Sequence, residues 1–328
     1  MLFEKKIIDI YRKNLFSRCD DTGLAYYFTH KDFPGLEAEP FSFKEFVDGN
    51  TLRGYFYSYP DHREDRIVVF EHGMGGGHLS YMREIERLCR EGFKVLAYDH
   101  TGCMSSDGES TGGLGRSLTD LVSCLDELDK MFSVDVSFSV VGHSWGAYSA
   151  MNGACGKGRV KSIVAISGFS SVERMVHQLF PGIMRAYAKK ILELEYSTNK
   201  LARISDSGDS MSYYKGYGLV IHSSDDKVVS ARKHFGYIKK KVEDYNDPEL
   251  GYETRVQFML VNGKGHNPNY TEDAVKYLAY YLKTLKKRLK KGTLITDEEK
   301  KEFVASFDWK RMTEQDENVW KEILYTLD

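Results

Sequence analysis

Short apolar runs and amphipathic stretches alternate along this chain. Six runs are almost continuously hydrophobic: RIVVFE (66–71), KVLAYD (94–99), VSFSVV (136–141), SIVAIS (162–167), GLVIH (218–222) and VQFMLV (256–261). Unbroken apolar strands suit a sheet that is covered on both faces. Between them lie stretches of helical period, such as GRSLTDLVSCLDELDKMF (115–132). Strand and helix in alternation predict an α/β fold with a doubly wound, mostly parallel sheet. Upstream, FSFKEFVDGNTLRGYFYSYP alternates around Asp48-Gly49-Asn50 and predicts a β-hairpin.

One interval breaks the rhythm. About fifty residues separate the strand ending near Ser167 from the one starting near Gly218. Within it, Met175, Leu179, Ile183, Met184, Tyr187 and Ile191 recur at helical spacing. A gap of this size predicts a helical cap rather than a loop. The chain then divides into an N-terminal helix and connection (1–44), a core (45–169 and 216–292), a cap insertion (170–215) and a C-terminal helical extension (293–328). In that extension Thr313, followed by Asp316 and an apolar run, reads as a helix start.

Composition narrows the class. The 328 residues are 41% hydrophobic and 29% charged, enough for a sizeable core. A net charge of −2 sets up no field for nucleic acid, and no basic-aromatic stripe appears. The five cysteines, Cys19, Cys89, Cys103, Cys124 and Cys155, form no CxxC pair. They predict free thiols and a cytoplasmic protein. No apolar stretch is long enough to span a membrane, and no signal-peptide core is expected in MLFEKKIIDIYRKNLF. His, Cys and acidic positions lack zinc spacing, so neither metal nor cofactor is expected.

The chemistry centres on Gly142-His143-Ser144-Trp145-Gly146, between a predicted strand and a predicted helix. That is the setting of the G-x-S-x-G turn, which raises a serine hydroxyl off the sheet. Serine at its free pKa is a weak nucleophile and needs a base, and the base needs an orienting acid. Downstream histidines are His177, His222, His234 and His266. His177 falls in the cap, His222 precedes any candidate acid, and His234 lies in a predicted helix. His266, in NGKGHNPN directly after a strand, is the candidate base. Asp225 and Asp226 are both candidates for the acid. His72-Gly73-Met74-Gly75-Gly76-Gly77 has four glycines in five positions, so backbone N–H groups can turn inward. Met74 and Trp145 N–H are the expected oxyanion donors. No Lys-Ser/Thr follows the glycines, which argues against a phosphate loop. Asp99 and His100 are expected to organise a loop.

Together these residues resemble the α/β-hydrolase superfamily over roughly residues 45–290. HGMGGG is similar to its oxyanion turn, GHSWGA to its nucleophile elbow and GKGH to its histidine loop. YDHTGCMSSDGES resembles its D-x-x-G-x-G-x-S loop, with Met104 at the second glycine. HSSDDKVVS resembles H-G-x-x-D-x-x-V-P, with Ser223 for Gly and Ser230 for Pro, and this alignment selects Asp226. The nearest branch holds monoacylglycerol lipases, feruloyl esterases and serine aminopeptidases. The resemblance implies a serine hydrolase acting on a small acyl ester, with Ser144, His266 and Asp226 as its triad. Met175, Leu179, Ile183 and Tyr187 are expected either to line an acyl pocket or only to dock the cap. An aminopeptidase or amidase is the alternative, with Glu173, Glu193 and Glu195 as possible amine anchors that read more simply as solvated charges. A non-catalytic binding module is a third possibility.

Overall fold

The computed structural model describes residues 2–247, 249 and 252–328. Its strands are β1 (Glu37–Lys44), β2 (Thr51–Ser58), β3 (Arg66–Glu71), β4 (Lys94–Tyr98), β5 (Ser137–His143), β6 (Val160–Ile166), β7 (Tyr217–Ser223) and β8 (Arg255–Val261). They form one sheet in the order β1-β2-β4-β3-β5-β6-β7-β8. β1 and β2 pair antiparallel, β2 joins β4 antiparallel, and every later pairing is parallel. The six apolar runs are six of these strands, within two residues at each end. The sheet begins earlier than the expected boundary at residue 45, because β1 lies inside 1–44 and pairs along its whole length with β2.

The helices are α1 (Leu2–Leu15), α2 (Met82–Arg90), α3 (Arg116–Met131), α4 (Trp145–Gly153), α5 (Val172–Leu179), α6 (Arg185–Thr198), α7 (Ser207–Tyr213), α8 (Phe235–Tyr245), α9 (Glu272–Lys290), α10 (Asp297–Ala305), α11 (Trp309–Met312) and α12 (Glu317–Leu327). One face of the sheet is covered by Leu121 and Leu125 of α3, Ala147 and Met151 of α4, Met211 of α7 and Ile238 of α8. The other face takes Ile85 and Leu88 of α2 and Val319, Trp320 and Ile323 of α12.

The last helix therefore completes the core rather than trailing from it. Its start is also one turn later than expected. Asp316 is the N-cap, accepting from the N–H groups of Asn318 and Val319, while the Thr313 hydroxyl donates to the Trp309 carbonyl.

A third apolar cluster lies above the carboxyl ends of the strands. It joins Met175, Phe180 and Ile191 of the inserted segment to Ile7 and Tyr11 of α1 and to Trp145. The insertion holds α5, α6 and α7, and Pro181 and Gly182 (φ +59°) separate the first two. Trp320 is fully buried, under the Arg87 guanidinium. Trp320→Ala should cost about 3–5 kcal/mol through the cavity it leaves, read as a lower midpoint of urea unfolding.

Candidate active site

Ser144 sits between β5 and α4 at φ +56° and ψ −108°. This is strained backbone for a residue with a side chain. The flanking glycines are compelled by contact. A Cβ on Gly142 would lie 2.3 Å from the Gly146 oxygen, and one on Gly146 would lie 2.1 Å from the Glu71 oxygen. The turn thus exists only where both neighbours lack side chains.

The three expected chemical groups meet at this turn. His266 Nε2 is 2.8 Å from Ser144 Oγ. His266 Nδ1 donates to Asp226 Oδ2 at 2.7 Å. Asp226 Oδ1 accepts from Val228 and Val229 N–H at 2.8 and 3.1 Å, and His222 Nε2 lies 3.2 Å from Oδ2. Burial pushes this carboxyl up. Hydrogen bonds from His222, His266 and Val229 N–H outweigh it and hold Asp226 below the usual carboxylate range.

Asp225 does a different job. Its Oδ1 accepts from Gly263 and Gly265 N–H, both at 3.1 Å, and so braces the loop that carries His266. A half-buried ion pair holds the same loop from the other side, between Lys264 Nζ and Asp316 at 2.5 Å.

The glycine turn is fixed by its own histidine. His72 Nδ1–H donates to the Gly73 carbonyl at 2.8 Å, and His72 Nε2 accepts from His100 N–H at 3.0 Å. Burial, aided by the nearby His100, lowers His72 to a pKa of about 3, so the ring is neutral, as these bonds require. In a trans peptide the N–H points away from the C=O. Anchoring the Gly73 carbonyl on His72 therefore turns the Met74 N–H the opposite way. Trp145 N–H begins α4 and belongs to the first turn, whose N–H groups lack helical acceptors.

A relay that the sequence did not announce ties these parts together. Gly73 N–H donates to Tyr81 Oη at 3.1 Å, and the Tyr81 hydroxyl donates to His143 Nδ1 at 2.9 Å. His143 Nε2–H then donates to the His266 carbonyl at 2.8 Å. Burial, reinforced by His266, lowers His143 to about 3, which keeps it neutral. Tyr81 and His143 thus link the glycine turn, the serine elbow and the histidine loop. The signal was a histidine beside Ser144, but its partners lie 62 and 123 residues away in sequence.

The other candidates separate. Asp99 binds His78 and Ser105 and organises its loop, as expected. His234 accepts from Ser170 N–H. Met175 is buried in the third cluster and Tyr187 packs against its edge. Leu179 and Ile183 do not join them, being 43% and 92% exposed. Gly182 turns the chain just before Ile183, so the expected apolar stripe is broken there. Glu195 is not a solvated charge. It is fully buried, accepts from the Tyr11 hydroxyl at 2.6 Å, and is pushed up to about 7 by burial. Glu173 and Glu193 are exposed.

The fold is similar to those of several solved enzymes. The Pyrococcus furiosus esterase structure superposes with a TM-score of 0.57 at 20% identity, covering 81% of this chain and 96% of that one. The chain has the α/β-hydrolase fold. Est1E from Butyrivibrio proteoclasticus, with ferulic acid bound, matches at TM-score 0.52 and 16% identity over 75% of this chain and 99% of its own. An acylaminoacyl peptidase from Pyrococcus horikoshii matches at 0.54 and 16%, over 79% of this chain and 42% of its own. A family model described as serine aminopeptidase, S33, matches residues 62–215. No curated protein matches the sequence. Among the described residues no group of metal-ligating side chains is found, and no helix is long and apolar enough to cross a membrane.

Asp226→Asn should lower kcat by about 10⁴, because the amide favours the wrong imidazole tautomer. Asp225→Asn should cost far less, and steady-state kinetics of the pair read the difference. Tyr81→Phe leaves Gly73 N–H and His143 Nδ1 without their shared partner. It should lower kcat between about tenfold and a hundredfold with little change in KM, as expected of slight misplacement.

Proposed function

We propose that this chain is a serine hydrolase that cleaves carboxylic esters through an acyl-enzyme. The observation that carries the proposal is the 2.8 Å contact of His266 Nε2 with Ser144 Oγ, together with the 2.7 Å contact of Nδ1 with Asp226. Ser144 Oγ attacks the ester carbonyl while His266 takes its proton. Asp226 holds the imidazole and offsets the charge of the imidazolium. Met74 and Trp145 N–H stabilise the oxyanion. His266 then gives the proton to the leaving alkoxide as the C–O bond breaks. Water, deprotonated by His266, releases the acid. The buried third cluster, with Met175 and Phe180 beside Trp145, is the acyl side. No step calls for a cofactor. Free thiols at all five cysteines agree with a cytoplasmic setting.

An aminopeptidase or amidase is the second reading, favoured by the described family of the matching model. It asks for an acid free to bind an amine, and Glu195 is already engaged by Tyr11.

Ser144→Ala should abolish fluorophosphonate labelling and leave at most a residual rate of about 10³–10⁴ over water. For p-nitrophenyl esters, kcat/KM should rise with acyl length by up to about 0.8 kcal/mol per CH₂ until the pocket fills. Met175→Glu should flatten that trend, whereas Ile183→Asp, out in solvent, should not. Cleavage of aminoacyl anilides in preference to every ester would transfer the assignment to the second reading.

A further inference from the structure

Two adjoining hollows lead outward from the glycine turn and the histidine loop. The first, about 280 Å³, is bordered by Gly75 of the glycine turn, by Tyr81, and by Asn267, which follows His266. The second, about 670 Å³, runs outward between the segment after α1 and the α10–α11 region. Ala25, Tyr26, Phe28 and Trp309 border both, so the two form one groove. Neither flank belongs to residues 62–215, where the family model matches. The inner hollow also takes Gly75 and Leu79–Arg83 from within the matched residues, so only the outer one is walled wholly by residues outside them.

From this geometry we infer that the groove is the leaving-group site, and that the alcohol it receives carries a neutral aromatic ring. The inference rests on the ester-hydrolase reading. Four directions radiate from the tetrahedral carbon. One is occupied by Ser144 Oγ, and one points to Met74 and Trp145 N–H. The leaving oxygen must face His266 Nε2, which protonates it. The acyl chain takes the remaining direction, toward Met175 and Phe180 under the cap. The group attached to the leaving oxygen therefore departs along the histidine loop, past Asn267, and enters the groove there.

The walls specify the chemistry. Tyr26 and Phe28 meet edge to face with centroids 5.0 Å apart, and Trp309 lies 6.5 Å from Tyr26. Together they give the groove an aromatic wall against whose exposed faces and edges a further ring can stack. The rim acids are already engaged. Asp32 accepts from the Tyr26 hydroxyl and from Thr29 N–H, and Asp308 caps α11 through Arg311 N–H. Lys301 and Lys310 share the rim with them. Arg83, which borders the inner hollow with its guanidinium over the Phe28 ring, adds a third cation, and with both rim acids engaged it is the aromatic walls rather than an anchoring carboxylate that set the preference, for a neutral ring.

Ethyl, benzyl and 2-naphthylmethyl butyrate share one acyl group and have leaving alcohols of similar acidity, so they isolate the groove. The kcat/KM ratio of 2-naphthylmethyl to ethyl ester should be about tenfold or more, within what an apolar pocket can discriminate. Ala25→Trp fills the groove without removing a contact, and Trp309→Ala removes a wall. Each should bring the ratio down toward one. Trp309 also packs on Tyr281, so if its variant fails to fold the Ala25→Trp ratio decides. A parent ratio near one, or a ratio unchanged by Ala25→Trp, overturns the inference. Fluorophosphonate labelling of Ser144 and turnover of ethyl butyrate test the hydrolase reading separately. If both are absent, that reading fails. The groove is then judged by fluorine NMR of 4-fluorobenzyl alcohol, whose line should broaden with the parent and stay sharp with Ala25→Trp. A sharp line with the parent overturns it.

Discussion

Everything at the site depends on a reversal of the backbone at Ser144. A non-glycine residue at φ +56° holds strain of about 1–3 kcal/mol, and the surroundings must enforce it. Enforcement comes from close packing. Gly146 is pressed against the Glu71 carbonyl, and Gly142 against Gly146. β3 and β5 must therefore lie side by side in register, as Glu71 and Gly142 do. The parallel sheet is thus a precondition for the strained serine, and the turn could not be transplanted without it.

Beneath the turn lies a buried set of charges. His100 stands between Glu71 and Asp120, 3.4 Å from each, and Arg116 reaches Asp120, Glu45 and Asp48. Burial lowers the His100 pKa, but the two acids outweigh it and leave it raised. Such groups add little net stability, yet losing one partner strands a charge in the interior. Their effect is to fix position. His100 N–H anchors His72, His72 anchors the Gly73 carbonyl, and the direction of Met74 N–H follows.

The strands were legible because burial on both faces leaves little besides apolar residues in them. The elbow was legible because Gly-x-Ser-x-Gly records a steric requirement in the sequence itself. Ser144 and His266 followed from position after a strand, while the residues alone left Asp225 and Asp226 open. What stayed hidden depends on partners distant in sequence. His143 gives no sign that Tyr81 and the His266 carbonyl will meet it. Glu195 resembled any helix-surface acid until α1 folded over it with Tyr11. The apolar stripe from Met175 to Tyr187 is broken at Ile183, because Pro181-Gly182 resets the helical phase, while Leu179 is half-exposed at the end of α5. The C-terminal extension was legible as helical but not in its place, since apolar period alone does not say which surface a helix covers.

The ion pair between Lys264 and Asp316 has a consequence for the order in which the protein matures. Ser144, Asp226 and His266 are all translated before α12. A nascent chain that already carries them still has Lys264 without its carboxylate and a sheet face without Trp320 and Ile323. Uncovered apolar surface of that kind is prone to aggregate during synthesis. The histidine loop gains this support only when α12 docks, so the placing of His266 and the closure of that sheet face depend on the same helix.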